Sequence, residues 1–305
     1  MVNKFIVFCL LLSWVFCGCS KEGSEAHDGL RRELQAIADS VSGNVGVALI
    51  NASGDTLTIN NDPGYQMMSV FKLHEALAVC HVLDMRGVSL DTIISFSRSE
   101  MNPDTWSPML REHGEEELNL TAEELLGYII QQSDNNASNL LFDRIVSVED
   151  CDRFIRESTE IENFAIAYTE RQMHANPALA DGNHSSPLAC ARLIEKVFTD
   201  SIVSPHKQDV IQKMLIDCQT GLDRIYAPLK DKPGVTLAHK TGSGFRNSEG
   251  RLMAHNDVGR VTLPDGRAYV LAIMINDFDG TEEEASAVMA GISRIIYDAQ
   301  CTIHD

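Results

Sequence analysis

Strand-like patterns lie near both ends of this 305-residue chain, and helical patterns fill the middle. From Asn44, the run NVGVALINASGDTLTIN places two strand-forming segments around a turn at residues 52–55, which predicts a β-hairpin. After residue 233, three more runs alternate with period two: GVTLAHKTGSG, RLMAHNDVGRVTL and RAYVLAIMIND. The turn Pro264-Asp265-Gly266 separates the last two. We therefore expect one antiparallel sheet that draws its strands from both chain ends.

Helical periodicity dominates the segment between these strands. Thr121 and Glu124 form a capping box ahead of an apolar face, and the stretch after the last strand is also an amphipathic helix. Other helices are predicted at about 70–86, 148–156, 186–199 and 205–218. The chain is thus predicted to be an α/β (α+β) protein in which an all-helical lobe is inserted into a sheet lobe. A ligand-binding cleft is expected between the lobes.

The first residues have the layout of a secretory signal peptide. A single cation, Lys4, precedes an apolar run from Phe5 to Phe16 that is too short for a comfortable membrane span. Gly18-Cys19 resembles the lipobox of bacterial lipoproteins, so we expect a signal peptide at 1–18 and lipidation at Cys19, with simple cleavage as the alternative. The expected location is the periplasm, with the protein tethered to a membrane.

The remaining chain is expected to form a single catalytic domain. Residues 19–40 are predicted to be a polar tether, and residues 41–305 the folded domain, with a sheet lobe at about 41–62 and 220–305 and a helical lobe at about 63–219. The formal net charge is −19, which argues against nucleic acid as a partner because phosphate binding requires a basic surface. We expect a monomer that binds a small molecule and needs no cofactor.

Cysteines give little indication of disulfide bonds. Beyond the signal peptide and Cys19, five remain, and they are widely spaced without a Cys-x-x-Cys pair. Cys80 and Cys190 lie in apolar helical patterns, where a free thiol packs as a small hydrophobic group. Most of these cysteines are therefore expected to be core residues.

Three short motifs carry the chemistry. Ser69 precedes Lys72 by three residues at the start of a helix, a pattern expected about once by chance in a chain of this length. Ser133-Asp134-Asn135 follows at the end of a helix, and Lys240-Thr241-Gly242 lies in a predicted strand. Chance produces this ordered set far more rarely than any one motif. It is the motif set of class A β-lactamases and penicillin-binding proteins.

The residue types fit acyl transfer through a serine. A serine hydroxyl needs a base, and Lys72 lies one helical turn from Ser69, on the same face. The helix dipole and Lys240 should both favour the neutral amine of Lys72. Ser133 can relay a proton to a leaving nitrogen, and Asn135 can hold a substrate amide. The backbone N–H groups of Ser69 and Ser243 are expected to form an oxyanion hole.

The chain between about 40 and 300 resembles class A serine β-lactamases, and in particular the Bacteroides-type cephalosporinases. TWSPML at 105–110 is similar to the family's cleft mouth, with Trp106 as its wall, and YTERQMHAN at 168–176 is similar to its Ω-loop. The resemblance implies that Glu170 positions the hydrolytic water, that His174 stands where penicillinases have asparagine, and that Arg224, Lys240 and Thr241 bind substrate.

Some family features are missing. Tyr168 and Asn183 stand where the Ω-loop usually has an Arg–Asp ion pair, and Ala76 stands where the family's common disulfide has a cysteine. The resemblance implies hydrolysis of cephalosporins and penicillins through the catalytic residues Ser69, Lys72, Ser133 and Glu170. A penicillin-binding D,D-peptidase or β-lactam sensor is the alternative, and it would lack the Ω-loop glutamate.

Two other classes fit less well. A zinc-dependent lactamase would need metal-ligand spacing, and none of the ten histidines forms His-x-His or His-x-x-x-His. The histidines at 74, 239 and 255 are therefore expected to be structural. A non-enzymatic lipoprotein would need none of the three motifs.

Overall fold

A computed structural model describes the backbone of residues 19–302 and the side chains of residues 27–302. The α-helices in this part of the chain are α1 (Cys19–Asp39), α2 (Lys72–Met85), α3 (Pro108–Glu112), α4 (Ala122–Gln131), α5 (Asn135–Arg144), α6 (Val148–Thr159), α7 (Glu170–Ala175), α8 (Pro187–Thr199), α9 (Pro205–Ile216) and α10 (Glu282–Thr302). Short 3₁₀ helices occur at Met68–Phe71, Arg98–Glu100 and Pro177–Gly182.

The strands form one large sheet and two small ones. They are β1 (Asn44–Ile50), β2 (Thr56–Ile59), β3 (Tyr65–Gln66), β4 (Ile93–Ser97), β5 (Glu117–Thr121), β6 (Phe164–Ala165), β7 (His184–Ser185), β8 (Thr236–Ser243), β9 (Leu252–Thr262) and β10 (Ala268–Phe278). The large sheet is antiparallel, with the order β2-β1-β10-β9-β8. The predicted sheet from both chain ends is therefore confirmed.

Alternation along β1 divides the core into two layers. Val47 and Leu49 face one apolar cluster together with α1 and α10, whereas Ala48 and Ile50 face another, which includes α8 and the helical lobe. Because successive side chains of a strand point to opposite faces, a central strand that is buried on both sides is apolar at almost every position. Both faces of the large sheet are covered by helices.

Residues 19–40 were predicted to be a polar tether. This prediction is wrong, because the backbone of Cys19–Asp39 forms helix α1. Its apolar residues Leu30, Leu34, Ile37 and Ala38 recur at helical spacing and pack against the sheet. Arg31 also donates to the backbone oxygen of Thr58, which ties the helix to β2. The polar residues at the start of this segment obscured that stripe in the sequence.

The helical lobe is built around α2. This helix is apolar on nearly every side and is buried along most of its length, as expected for a helix at the centre of a lobe. The capping box of Thr121 and Glu124 at the start of α4 is confirmed. Helix α8 lies within the predicted helical lobe, but its residues Cys190, Leu193 and Ile194 belong to the cluster that covers the sheet.

Several expectations concern residues at the N-terminus. The signal peptide at 1–18 and the side chain of Cys19 lie outside the described residues. Within the described part, none of the helices is both long enough and apolar enough to cross a membrane. The five cysteines from Cys80 onward are free thiols; four are buried, and Cys301 is exposed.

Candidate active site

The segment before Ser69 is held rigidly against the sheet. Ser69 lies in the 3₁₀ turn Met68–Phe71, and Met68 just before it has a positive φ of 44°. The side-chain amide of Asn256, buried in β9, donates to the backbone oxygens of Gln66 and Met67, at 2.7 and 3.2 Å. The unusual backbone conformation next to the nucleophile is therefore fixed by the surrounding sheet.

Gly242 brings β8 against this turn. A Cβ atom at this position would overlap the backbone oxygen of Met67 and would also crowd Met68 and Val70. Only a residue without a side chain allows the strand and the turn to approach so closely. Ser69 and Ser243 consequently both line one cleft, as the predicted oxyanion hole requires.

Lys72 is completely buried and fully hydrogen-bonded. Its Nζ lies 2.9 Å from Ser69 Oγ, 2.9 Å from the backbone oxygen of Ser133, 2.6 Å from Asn135 Oδ1 and 2.9 Å from Glu170 Oε1. A buried amino group requires such partners, whatever its charge. Lys72 Nζ therefore contacts four residues that the sequence analysis singled out.

Glu170 reaches the same point from the opposite wall. It is the first residue of α7, whose N-terminus is fixed by a capping box between Thr169 and Gln172. Asn139 Oδ1 also accepts from the backbone N–H of Arg171, which attaches α7 to α5. Ser69 Oγ donates to Glu170 Oε1 at 3.1 Å, so the hydroxyl lies between a lysine and a carboxylate.

The two ends of the loop that carries Glu170 are held together by the side-chain amide of Asn183. The buried Asn183 side chain accepts from the backbone N–H groups of Ala167 and Tyr168 and donates to the Tyr168 oxygen, at 2.8 to 2.9 Å. Its own backbone oxygen accepts from Met67 N–H at 2.8 Å. Asn183 therefore joins both ends of the loop to the segment before Ser69. It does so without the Arg–Asp ion pair that is usual in the Ω-loop of class A β-lactamases.

Ser133 and Lys240 form the third side of the site. Ser133 has a positive φ of 60°, and its Oγ accepts from Lys240 Nζ at 3.1 Å. Lys240 is fully buried, and its pKa falls to about 7, mainly because of this burial; Cys218 and Glu170 oppose the shift, and Lys72 adds to it. Near neutral pH this lysine can therefore exchange a proton with the Ser133 hydroxyl.

Asp134 is a functional residue that the sequence reasoning missed. Its carboxylate caps α5 at Ala137 N–H and also accepts from the Ser107 hydroxyl and Met109 N–H, at 2.8 to 3.0 Å. These bonds fix Ser133 and Asn135 on either side of it. Its place inside the Ser-Asp-Asn motif, as a carboxylate before a helical run, was the available signal.

A row of hydroxyl groups lines the end of the cleft at β8. Thr220 Oγ1 lies 2.6 Å from Thr241 Oγ1, and Arg224 Nη2 donates to Ser243 Oγ at 2.6 Å. Arg224 is only 6% exposed, and its Nη1 donates to the backbone oxygens of Gly242 and Asn256. Burial lowers its pKa from the ordinary value, while Asp257 and other acidic neighbours oppose this. This end of the cleft combines hydroxyl donors with positive charge.

The cleft has a volume of about 470 Å³ and lies between the lobes, where it was predicted. Trp106 forms part of one wall; it is 52% exposed, and its Nε1 donates to the Gln132 oxygen. His174 of α7 also lines the cleft. Asn135 Nδ2 donates to Thr105 Oγ1, so both ends of this amide are engaged in the protein.

No group of three or more His, Cys, Asp or Glu residues in the described chain is arranged to hold a metal ion. The histidines expected to be structural are buried. His74 packs against Phe164, and His255 hydrogen-bonds to Ser286. His239 pairs with Asp257.

Comparison with known proteins decides the family. A model described as the β-lactamase enzyme family matches residues 29–300. The chain belongs to the β-lactamase enzyme family. It is 45% identical to a β-lactamase of Phocaeicola vulgatus over 268 residues, which cover 88% of this chain and 84% of that one. The resemblance expected from the motifs is thereby confirmed.

Solved structures agree with this assignment. The TLA-3 extended-spectrum β-lactamase matches with a TM-score of 0.86 at 29% identity, covering 89% of this chain and 98% of that one. A class A β-lactamase from Bacteroides cellulosilyticus DSM 14838 matches with a TM-score of 0.84 at 28% identity, covering 90% and 98%. This β-lactamase therefore has the class A fold and is a serine hydrolase.

Proposed function

We propose that this β-lactamase hydrolyses the β-lactam amide of cephalosporins and of penicillins through an acyl-enzyme on Ser69, and so confers resistance to them. The observation that carries the proposal is the position of Ser69 Oγ, 2.9 Å from Lys72 Nζ and 3.1 Å from Glu170 Oε1. A nucleophile with one base for each half of the reaction is what hydrolysis requires, whereas a penicillin-binding protein needs only the first half.

Acylation begins with loss of the Ser69 proton. In the resting site the hydroxyl donates to Glu170 and accepts from Lys72, so Glu170 can take the proton directly, and Lys72 can take it when its amine is neutral, as Oγ attacks the lactam carbonyl. The developing oxyanion is stabilised by the backbone N–H groups of Ser69 and Ser243. The lactam C–N bond then breaks, and the ester on Ser69 forms.

The leaving nitrogen needs a proton, and Ser133 is the donor that we propose. Its hydroxyl accepts from Lys240 Nζ, so a proton given to the nitrogen can be replaced from the lysine. The proton that Glu170 or Lys72 took from Ser69 passes through solvent in the cleft to Lys240, which restores the charge of both groups. Deacylation follows when Glu170, again a free carboxylate, removes a proton from a water molecule that attacks the ester. The same proton then returns to Ser69 as the ester C–O bond breaks.

The β8 end of the cleft fits the carboxylate that cephalosporins and penicillins share. The hydroxyls of Thr241 and Ser243 would donate to it, while Arg224 and Lys240 supply positive charge from below. Trp106, His174 and Asn135 would contact the substrate's acylamino side. TLA-3, which has the same fold, is an extended-spectrum β-lactamase, and this likeness supports a similarly extended range of β-lactams for this chain.

Arg224→Ala should mainly weaken binding of the substrate carboxylate. Loss of one charge-assisted contact corresponds to roughly 1.5 to 3 kcal/mol in kcat/KM. Steady-state kinetics with a cephalosporin would measure the effect, and Arg153→Ala, which removes an exposed cation that does not line the cleft, is the matched control. Equal kcat/KM in both variants would contradict the role given to Arg224.

A hydrolysis panel tests the proposed function directly. The purified protein is mixed with a penicillin, an older cephalosporin, an oxyimino cephalosporin and a carbapenem, and ring opening is followed by absorbance. We expect sustained turnover of the older cephalosporin and the penicillin, and the other two compounds measure how far the substrate range extends. A single stoichiometric burst with no further turnover on any substrate would indicate a penicillin-binding or sensor protein instead.

We also propose that the protein acts as a periplasmic monomer anchored by lipid at Cys19. The signal-like segment before Cys19 supports export, and one chain supplies every group in the cleft. Cys19→Ser should convert a detergent-extracted protein into a freely released one, or leave the precursor unprocessed. Fractionation of cells would measure this, and Cys17→Ser is the control. Unchanged membrane association of the processed Cys19→Ser protein would rule out the anchor.

A further inference from the structure

An aromatic ring lies at the mouth of the cleft, at the end of the strand that is proposed to bind the substrate carboxylate. Ser243 ends β8, but the backbone still pairs with β9, since Met253 N–H donates to the Phe245 oxygen at 2.9 Å. Thr241, Ser243 and Phe245 all line the cleft, as every second residue of an extended strand should. Phe245 is 54% exposed, and its ring contacts no other ring and no cation among the described residues. Its aromatic face is therefore available to a ligand.

Glu282 brings a carboxylate to the same end of the cleft. It is the first residue of α10, and it lines the cleft together with Phe245 and Arg224. The start of this helix is fixed, because Thr281 N–H donates to Glu284 Oε2 at 2.8 Å. Burial lowers the pKa of Arg224, and Glu282 is one of the carboxylates that oppose this, so the two charges lie near each other. Glu282 is exposed, and within the described part of the chain it forms no hydrogen bond or salt bridge through its side chain.

The charges along the cleft are unequal in number. Among the described residues that line it, one is an arginine or lysine and three are aspartates or glutamates. Glu170 is paired with Lys72, which leaves two carboxylates, Asp104 and Glu282, at the mouth. In a cephalosporin, C4 bears the carboxylate and the neighbouring C3 bears a variable substituent. A molecule held by its carboxylate near Arg224 therefore places the C3 substituent at the end of the cleft that Glu282 lines.

We propose that Glu282 and Phe245 form a subsite that favours cephalosporins with a positively charged substituent at C3, such as a pyridinium. The negative face of the ring attracts an organic cation, and the carboxylate supplies the opposite charge. Arg246, the next residue in the chain, donates to the backbone oxygens of Gly250 and Gly280 and does not line the cleft. The subsite rests on the proposed function, because it names the class of cephalosporin that the same cleft prefers.

Two cephalosporins with the same thienylacetamido side chain test the charge at C3. Cephalothin carries a neutral acetoxymethyl group there, and cephaloridine carries a pyridiniummethyl group. The readout is the ratio of kcat/KM for cephaloridine to kcat/KM for cephalothin, compared between variants and wild type so that the chemical reactivity of the two compounds cancels. Glu282→Gln should lower this ratio about two- to fivefold, mainly through KM, and Glu282→Lys should lower it further. Phe245→Leu keeps an apolar side chain but removes the aromatic face, and it should lower the ratio about two- to fivefold.

Glu283→Gln is the matched control for charge, since Glu283 is exposed in the same helical turn but does not line the cleft. It should keep the wild-type ratio. Salt gives a second readout, because raising the ionic strength from about 0.01 M to about 1 M shortens the Debye length from about 30 Å to about 3 Å. The wild-type ratio should fall with salt toward that of Glu282→Gln, whose own ratio should change less. Equal ratios in wild type and Glu282→Gln, or the same loss in Glu283→Gln, would overturn the proposal.

Failure of the subsite and failure of the proposed function give different results. If both compounds are hydrolysed with a ratio that Glu282→Gln does not change, only the subsite is wrong. If neither compound is turned over, the proposed function fails. The rates at which the two compounds form an adduct on Ser69, followed by intact-protein mass spectrometry, then give the same ratio and decide the subsite. Absence of any adduct would overturn both.

Discussion

We expect Ser69→Ala to abolish both β-lactam turnover and the covalent adduct. Ser69 is the hydroxyl that lies between Lys72 and Glu170, and alanine leaves no atom that can form the ester. Loss of a catalytic serine lowers kcat on the order of 10⁶-fold in a comparable serine hydrolase. Intact-protein mass spectrometry after mixing with a cephalosporin would detect the adduct, and residual hydrolysis would be followed by absorbance.

The control for this experiment is Ser158→Ala, which removes an exposed hydroxyl on α6 that does not line the cleft. It should form the adduct and turn over like the wild type. An adduct of unchanged mass on the Ser69→Ala protein would mean that another residue is the nucleophile.

The second large effect is expected for Glu170→Gln. Acylation opens a strained ring and can use Lys72 as the base, whereas deacylation must activate water against a stable ester. Glu170 is the carboxylate at that face of Ser69, and losing a general base costs about 10² to 10⁴ in rate. The variant should therefore acylate and then release product far more slowly, so that a cephalosporin leaves a long-lived adduct on Ser69.

A time course of adduct mass after mixing with excess substrate measures this accumulation. Glu157→Gln, which neutralises an exposed carboxylate on α6, is the matched control and should clear the adduct as fast as the wild type. Equal persistence of the adduct in the wild type would identify a penicillin-binding or sensor protein. Normal turnover by Glu170→Gln would assign the hydrolytic base to another group.

Much of the fold could be predicted because it depends on periodicity. The strands at both ends alternate or are continuously apolar, and α10 repeats its apolar residues at helical spacing, so both elements are visible in the sequence. Helix α1 was missed because a polar start preceded its apolar stripe. The two-residue strands β3, β6 and β7 are too short for any period to show.

The reacting groups could be predicted from the sequence, but the residues that position them could not. Ser69, Lys72 and Lys240 lie in motifs of fixed local spacing. Asn183, in contrast, acts through backbone groups of residues 15 and 16 positions earlier, and Asn256 through residues 189 and 190 positions earlier. The run His255-Asn256-Asp257 inside an apolar strand was the one available signal, since polar residues in a buried strand need partners.

The close contact between Gly242 and the turn before Ser69 has a consequence for how resistance can evolve in this enzyme. Any side chain at Gly242 would push the substrate-binding strand away from the nucleophile, so changes there would cost catalysis for every substrate at once. Substitutions at the mouth of the cleft are less constrained by packing, since Trp106 and Phe245 are each more than half exposed. Under selection by new antibiotics, substitutions should therefore accumulate at the mouth of the cleft, and residue 242 should remain glycine.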